Sequence, residues 1–366
     1  MSAEGGGGKR PDVSIAKPQA AAAPAAPPAA AAPSRGPQLE LGKGLDVGTA
    51  NLISAVQDKE GNLYIKSQRN AFIDIDQDDF TRNMLTKLGV QYVILNNRMV
   101  VVGDPAFELA NIFNRETRRP MAHGMISPKE SDALPIMKLL IEKLLGAPQK
   151  PGEVCYFSIP AEPIDFSMNV MYHKGLFQDL LSKIGYEAKP LIEGHAVVFA
   201  ELADDDFTGI GISCGGGMFN ICVSYKTIPC LSFATSRAGD WVDQNVAQVL
   251  GIKASKATAL KEKGVDLRKP MNREQQAIEI YYRELIKYTL TKIKEKFESA
   301  EGMPSFPEAV DMVFAGGTSL IGGFVDVVKQ ELEKIKFPLE IKNVRRADDA
   351  LNSIAKGCLV AAMSES

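Results

Sequence analysis

Apolar residues recur along the chain with two different periods, and the two periods alternate from about residue 39 onward. Short apolar or alternating runs predict strands at residues 45–55, 64–75, 91–102, 154–159, 209–225 and 311–314. Longer runs with apolar residues at helical spacing predict helices at residues 132–145, 164–184, 191–202, 241–250, 256–263, 272–299, 324–334 and 348–363. Strands alternating with helices predict an α/β fold, and the repetition of the plan predicts an internal duplication.

This pattern divides the chain into three parts. Residues 1–38 contain a glycine run and a segment of almost only Ala and Pro, which predicts a disordered tail. Residues 39–200 and 201–366 each carry the α/β pattern, so we expect a first and a second lobe. An accessory protein is a candidate partner for the tail, although the composition of the tail names none.

Composition excludes several classes of protein. The 366 residues carry 42 basic and 45 acidic side chains and a net charge of −3, so the basic excess of a nucleic-acid-binding protein is missing. No apolar run approaches the ~18 residues of a membrane-spanning helix. The N-terminus lacks the apolar core of a signal peptide, which predicts a cytoplasmic protein. The five cysteines have no C-x-x-C spacing, which favours buried apolar residues over a metal site.

Three glycine-bearing loops follow strand-like runs, at residues 44–51, 211–217 and 313–319. Glycine lets backbone N–H groups approach a phosphate with no β-carbon in the way. Thr49 and Asn51 add side-chain donors, and Asp46 is placed to hold a water of phosphate-bound Mg²⁺. A tight hairpin is the alternative explanation for each loop alone, but three consecutive glycines at 215–217 exceed what a hairpin needs.

Together the loops resemble those of a known superfamily. G-L-D-V-G-T-A-N resembles the first phosphate loop of the actins, heat-shock chaperones and sugar kinases. S-C-G-G-G-M-F-N stands at the place of the second phosphate loop, and M-V-F-A-G-G-T-S-L-I-G-G-F is similar to the adenosine motif. Over residues 40–363 the chain is most similar to bacterial actins of the MreB and MamK kind. Further similar segments are 119–126, 191–196, 238–243 and 260–263.

The resemblance implies an actin-like fold of two duplicated lobes that binds ATP or ADP with Mg²⁺ in the cleft between them. It implies metal-side roles for Asp46 and Ser213. The residues that it implies for nucleotide binding are Gly48, Thr49, Ala50, Asn51, Glu193, Gly215, Gly216, Gly217, Gly239, Asp240, Lys261, Glu262, Gly316, Gly317 and Thr318.

The second loop departs from the superfamily pattern. Ser213 replaces the usual aspartate, Met218 the threonine and Asn220 the acid. The metal site would thereby lose half of its carboxylate charge, so we expect nucleotide binding to be retained better than ATP hydrolysis. Hydrolysis also needs a group that positions water, and Glu162 and Asp165 are the candidates. Solvated acids at a helix N-terminus are the competing interpretation for both.

The function that the resemblance implies is nucleotide-dependent polymerisation into cytoskeletal filaments, with the same chain as the partner. A non-polymerising adaptor that binds nucleotide and recruits other proteins is the alternative. A kinase of this fold would need a catalytic aspartate motif after the first phosphate loop, and no such motif is evident there. A chaperone would need a substrate domain after the adenosine motif, and none follows, so both functions are disfavoured. Ile112 and Phe113 lie in a basic loop that can touch an anionic membrane, although burial of this apolar pair is the commoner arrangement.

Overall fold

A computed structural model describes residues 38–110, 112–113, 115–127 and 129–365. The predicted tail therefore lies outside the described residues, except for Gln38. The strands are β1 Lys43–Val47, β2 Asn51–Gln57, β3 Leu63–Arg69, β4 Phe72–Asp76, β5 Tyr92–Leu95, β6 Arg98–Val102, β7 Met121–Ala122, β8 Met125–Ile126, β9 Val154–Ile159, β10 Glu187–Ile192, β11 Gly209–Cys214, β12 Phe219–Tyr225, β13 Ile228–Thr235, β14 Val310–Ala315 and β15 Ile341–Arg346. The helices are α1 Asp79–Lys87, α2 Asp104–Ala110, α3 Ala133–Leu145, α4 Val170–Ile184, α5 Glu193–Glu201, α6 Gly239–Leu250, α7 Ala254–Lys261, α8 Arg273–Ser299, α9 Phe324–Glu333 and α10 Ser353–Met363.

Two five-stranded sheets have the same topology. The first sheet has the order β3-β2-β1-β9-β10, and the second has the order β13-β12-β11-β14-β15. In each sheet the first three strands of that order are antiparallel neighbours, and the last two strands run parallel to the central strand. The shared order confirms the predicted duplication and the α/β fold class.

The first two glycine loops occupy equivalent places in the two sheets. One connects the central strand β1 to β2, and the other connects the central strand β11 to β12. The third loop follows β14, which lies parallel beside β11, so the second and third loops leave the same edge of the second sheet.

A pair of helices separates the two sheets. The last helix, α10, packs on β1, β2 and β9 of the first sheet, while α5 packs on β11, β12 and β14 of the second. The two helices also pack on each other, and the contact is so close that a β-carbon at Gly357 would overlap the backbone of Ala196. The C-terminal helix thus returns to the first sheet and joins both halves in one packed body.

The segment after β9 crosses from the first sheet to the second. The Ala161 amide donates to Asn220 Oδ1 at 2.8 Å, and the Ala234 amide donates to the Glu162 carbonyl at 2.9 Å. The Ile164 amide then donates to the Ala234 carbonyl at 3.0 Å. We call residues 161–165 the crossing segment.

Three predicted helices begin later than the pattern indicated. The crossing segment is extended, so α4 begins at Val170 rather than at residue 164, with Asn169 as the N-cap that accepts a bond from the Tyr172 amide. Residues 191–192 belong to β10, so α5 begins at Glu193. Turns occupy residues 348–352, so α10 begins at Ser353. Strand β15, which pairs with β14, is largely polar and was not predicted.

A smaller sheet, β4-β6-β5, packs with α1 and α2 around its own apolar core. Phe113 is partly buried against this core, whereas the Ile112 side chain is 62% exposed. Contact of this pair with a membrane stays a prediction. Within the described residues, none of the helices combines the length and apolarity that crossing a bilayer requires.

Candidate functional site

A cavity of about 830 Å³ lies where the three glycine loops meet. Residues from both sheets and from the helices α5, α6 and α7 line it. The sequence-predicted nucleotide and metal residues in its lining are Asp46, Gly48, Thr49, Ala50, Asn51, Glu193, Ser213, Gly215, Gly216, Gly217, Asp240, Lys261, Glu262, Gly316, Gly317 and Thr318. Segments separated by up to about 270 positions in sequence thus converge on one space, although binding by these residues stays a prediction.

The first glycine loop is held by hydrogen bonds on both sides. Ser158 Oγ on β9 accepts from the Val47 amide at 2.8 Å and donates to Asp46 Oδ1 at 2.8 Å. Thr49 Oγ1 accepts from the Gly124 amide at 2.9 Å. The Asp46 carboxylate is therefore fixed at the end of its strand, and its loop is tied to the β7–β8 turn.

The second and third loops are packed against each other and against the β7–β8 turn. Thr318 Oγ1 donates to the Gly215 carbonyl at 2.9 Å. A β-carbon at Gly217 would lie 2.9 Å from His123 Cα, so only glycine permits this approach. Gly239 does not line the cavity but packs behind it, with its amide donating to the Gly215 carbonyl at 3.2 Å. Its structural role is therefore support of the second loop.

Three further predicted nucleotide-binding residues, Asp240, Lys261 and Glu262, lie on α6 and at the end of α7. The Lys261 ammonium lies 2.9 Å from both carboxylate oxygens of Asp243. Thr258 Oγ1 donates to the same carboxylate at 2.8 Å. Glu262 follows as the C-cap of α7, and the Asp240 amide donates to the Gly216 carbonyl at 2.8 Å. The charge of Lys261 is thus compensated within the protein.

Carboxylates dominate the charged lining of the cavity. Its charged side chains are Asp46, Glu193, Asp240, Asp243, Glu262, Arg119 and Lys261. Arg119 makes no hydrogen bond or ion pair in the part of the chain that the structure describes. A polyphosphate would meet a mostly negative wall, so a cation is needed to bring the two together.

Two of the lining carboxylates, Asp46 and Glu193, are close enough to affect each other electrostatically. Burial, and secondly the negative charge of Glu193, raises the pKa of Asp46 to about 7. Burial also raises the pKa of Glu193, while hydrogen bonds from Ser213 and Asn220 oppose this shift. Both groups would be stabilised in their charged form by a cation between them.

The donor chemistry fits Mg²⁺ held through its water ligands. Carboxylate oxygens are ligands of choice for Mg²⁺, which usually keeps several waters and binds through one or two carboxylates plus phosphate. Among the described residues no group of three or more His, Cys, Asp or Glu side chains forms a cage for a metal. Asp46 and Glu193 therefore suit a metal that arrives with its nucleotide.

Neither candidate for positioning water lines the cavity. Asp165 accepts from the Ser236 amide at 2.8 Å and from the Tyr288 hydroxyl at 2.8 Å. The Glu162 side chain is exposed, and its backbone pairs with β13. Both residues belong to the crossing segment, so the observed arrangement gives them a structural role, and a catalytic role stays a prediction.

The sequence reasoning missed one support of the first loop. Asn70 is fully buried, and its Nδ2 donates to the Gly48 carbonyl at 2.9 Å. Its amide donates to the Ala50 carbonyl at 2.9 Å. Asn70 lies in the short connection between β3 and β4, and a single asparagine there does not reveal a partner 22 positions away.

Two duplicated sheets around a cleft lined by three glycine loops define an actin-like protein. The family model described as Volactin matches residues 41–362, and the chain belongs to that family. No curated protein matches the chain.

Solved structures with the same fold cover most of the chain. A MamK double helical filament is 21% identical, with 89% of this chain and 99% of that chain covered and a TM-score of 0.68. MreB 5 of Spiroplasma citri bound to AMPPNP is 15% identical, covering 88% and 95%, with a TM-score of 0.62. The ethanolamine utilization protein EutJ from Carboxydothermus hydrogenoformans is 18% identical, covering 88% and 90%, with a TM-score of 0.50. These similarities confirm the predicted actin-like fold and the resemblance to bacterial actins.

The raised pKa of Asp46 predicts a pH dependence of stability in the nucleotide-free protein. Because the pKa is about 7 in the folded state and 3.8 in the unfolded chain, the folded state holds the proton longer. Stability should therefore fall as pH rises between these values, by up to ~1.4 kcal/mol per pH unit from this group. Asp46→Asn keeps an acceptor for Ser158 and should remove this contribution.

The check is thermal unfolding of both proteins in EDTA from about pH 5 to about pH 8. The advantage of Asp46→Asn over the parent should grow with pH. Glu193 is present in both proteins, so its charge enters the difference only through its effect on the pKa of Asp46. Parallel stability curves would show that Asp46 titrates as an ordinary aspartate.

Proposed function

We propose that the chain binds ATP or ADP with Mg²⁺ in the cleft and polymerises into filaments in a nucleotide-dependent manner. The observation that carries the proposal is the convergence of all three glycine loops on one cavity. The first loop comes from one duplicated half, and the second and third loops come from the other. A ligand that contacts all three must therefore hold the two halves together.

The loops offer what a polyphosphate needs. The glycine turns present backbone N–H groups without side chains in the way, and Arg119 adds an uncompensated cation. A bound Mg²⁺ would neutralise phosphate charge that Asp46 and Glu193 otherwise repel. The MreB 5 structure is bound to AMPPNP, which supports a nucleotide as the ligand of this fold.

Nucleotide occupancy can be transmitted to the outer surface because the ligand would contact loops from both halves. The α5–α10 pair and the crossing segment are among the contacts that join the two sheets. A ligand that pulls the loops together therefore biases the angle between the halves, and with it the surfaces that meet a neighbour. The MamK structure is a double helical filament, which supports another copy of the chain as that neighbour.

Assembly predicts a sedimentation result. At tens of micromolar protein with ATP and Mg²⁺, most of the chain should pellet at high speed, and without nucleotide it should stay in the supernatant. Head-to-tail contacts between different surfaces grow into open filaments when their rotation does not close a ring, and electron microscopy should then show filaments. Removal of residues 1–38 should leave pelleting unchanged, because an Ala/Pro-rich segment has too little large apolar surface to build a contact.

The same experiment separates polymerisation from the adaptor alternative. A chain that binds nucleotide but stays monomeric in both conditions, by light scattering and microscopy, would favour a recruiting module. A chain that pellets equally with and without nucleotide would contradict nucleotide control. Slow ATP turnover is compatible with either function, because Asp165 is occupied by structural hydrogen bonds.

A further inference from the structure

An exposed arginine of the second half is stacked on aromatic rings. Arg237 lies between β13 and α6, and its guanidinium carbon is 4.2 Å from the ring centre of Tyr288 and 5.4 Å from that of Trp241. Trp241 in turn packs edge-on against Tyr281, with 5.7 Å between the ring centres. We call these four residues the Arg237 platform. The platform lies outside the lining of the nucleotide cavity.

A carboxylate beside the platform is bonded to neutral donors. Asp165 accepts from the Ser236 amide and from the Tyr288 hydroxyl, each at 2.8 Å, so both of its oxygens are used. Across the part of the chain that the structure describes, the Arg237 guanidinium donates no hydrogen bond and joins no ion pair. A guanidinium held on a ring keeps its fork of donors for a planar acceptor, and a carboxylate fits two of them at once. The platform therefore fits a carboxylate from another molecule.

The surroundings of the platform favour an acidic protein segment over a polyanion. Lys292, a second cation near the Tyr288 ring, is already paired with Glu295 at 2.7 Å. Nucleic acids and anionic lipid surfaces are bound through several free cations rather than one. Arg, Trp and Tyr are also the residues most enriched where protein–protein contacts are strongest. Phe166, which directly follows the crossing segment, adds a side chain that is 54% exposed.

The start of α1 carries the complementary surface. Asp79, in the first turn of α1, is exposed, and among the described residues it pairs with no cation and accepts no hydrogen bond. Phe80 follows it and is 74% exposed, more than any other aromatic side chain of the described residues. A free carboxylate beside an exposed ring matches the free guanidinium and the rings of the platform in charge and in polarity. Because both surfaces are exposed in one copy, they can meet only between two copies.

We propose that the Arg237 platform binds the start of α1 from a neighbouring copy of the chain. Asp79 pairs with the Arg237 guanidinium, and Phe80 packs against the aromatic rings beside it. Since the two surfaces differ, the contact is heterologous, and each copy offers one surface to the next and the other to the previous one. This inference rests on the proposed assembly into filaments and names one contact within it.

The test reverses each charge alone and then combines the two variants. Arg237→Glu and Asp79→Arg should each raise the protein concentration needed for pelleting with ATP and Mg²⁺ at least ~10-fold, because each variant sets like charges against each other. An equimolar mixture of the two variants should pellet like the parent. In an alternating assembly, every contact again joins a carboxylate to a guanidinium. A chain that carries both substitutions should recover for the same reason.

Control variants separate this contact from unspecific effects of charge. Arg273→Glu reverses an exposed arginine that, within the described ranges, has no ion pair, and it should pellet like the parent. Phe80→Ala keeps every charge and should still weaken pelleting. Nucleotide affinity and the thermal unfolding midpoint should stay close to those of the parent, since all these residues are exposed and lie outside the cavity.

The platform also provides its own reporter, because Trp241 is the only tryptophan of the chain. Its fluorescence should change on assembly of the parent and of the mixture. In Arg237→Glu alone, at a concentration where the parent pellets, the fluorescence should stay that of the monomer. A parent that pellets with no change in Trp241 fluorescence would show that the platform lies outside the contacts between copies.

The outcomes distinguish this contact from the proposed function. Pelleting of both single variants like the parent would overturn the contact, leave filament formation intact and free the platform for an acidic segment of another protein. Loss in both variants without recovery in the mixture would also overturn it, because the two charges would not be partners. If the parent pellets equally without nucleotide and the variants do not, the contact stands and nucleotide control fails. A parent that stays monomeric overturns filament formation, and this inference with it.

Discussion

Gly317→Val is expected to lower nucleotide affinity at least ~100-fold without loss of stability. A β-carbon at Gly317 would meet only Leu351 Cδ2, at 3.8 Å, so the folded protein has room for a side chain. Gly317 also lines the cavity, where the resemblance places the adenosine. The branched side chain would thus fill ligand space rather than disturb the core. The measurement is a nucleotide titration together with thermal unfolding of the free protein.

The neighbouring glycine provides the matched control. Gly316 has φ +91°, and a β-carbon there would lie 2.5 Å from the Cys214 carbonyl oxygen. Gly316→Val should therefore destabilise the protein as well as impair binding, whereas Gly317→Ala should weaken binding less than Gly317→Val. If Gly317→Val binds ATP like the parent, the adenosine does not lie against this loop.

Gly357→Leu is expected to destabilise the protein by about 3 kcal/mol or more, since overpacking against rigid backbone has no cheap relief. A β-carbon at Gly357 on α10 would overlap the carbonyl oxygen of Ala196 on α5. Both atoms that would clash are close to the helix backbones, so the helices themselves must separate. For a chain of this size each kcal/mol lowers the unfolding midpoint by ~1–2 °C, which calorimetry resolves.

Gly175→Ala is the control for a glycine inside a helix. Gly175 lies in α4, and a β-carbon there would meet nothing within 4 Å. Alanine should stabilise the helix by ~0.5–1 kcal/mol. A midpoint for Gly357→Leu close to that of the parent would show that α5 and α10 do not determine the stability of the molecule.

Local sequence patterns predicted which helices and strands this fold contains better than they predicted the residues at which those elements begin and end. Helix α8 begins one residue after its N-cap Asn272, as capping preference indicates, because that signal is local. Helix α4 was placed six residues too early, because the crossing segment is held extended by bonds to Asn220 and Ala234 on the second sheet. A helical pattern carries no information about such distant partners.

The same limit applies to the site. The glycine loops are visible in the sequence because each needs small residues at adjacent positions. Glu193 on α5 accepts hydrogen bonds from Ser213 and Asn220, which lie 20 and 27 positions away in sequence. The departures of the second loop were therefore visible in the sequence, but their hydrogen-bond partner was not. Gly239 resembled a ligand contact for a related reason: a glycine needed for packing and one needed for binding look alike in sequence.

The contact between α5 and α10 constrains the kind of motion that the halves can make. Interdigitating side chains lock two helices against both rotation and separation, but at Gly357 and Ala196 backbone lies almost directly on backbone. Such a contact acts as a pivot. Rotation of one helix on the other moves few side chains past each other, whereas separation of the two helices would expose their buried contact surface. The two halves would therefore respond to a ligand by rotating relative to each other about this contact, in a propeller-like twist, rather than by moving apart. In a filament of such subunits, the helical pitch would change while the axial rise stays nearly constant.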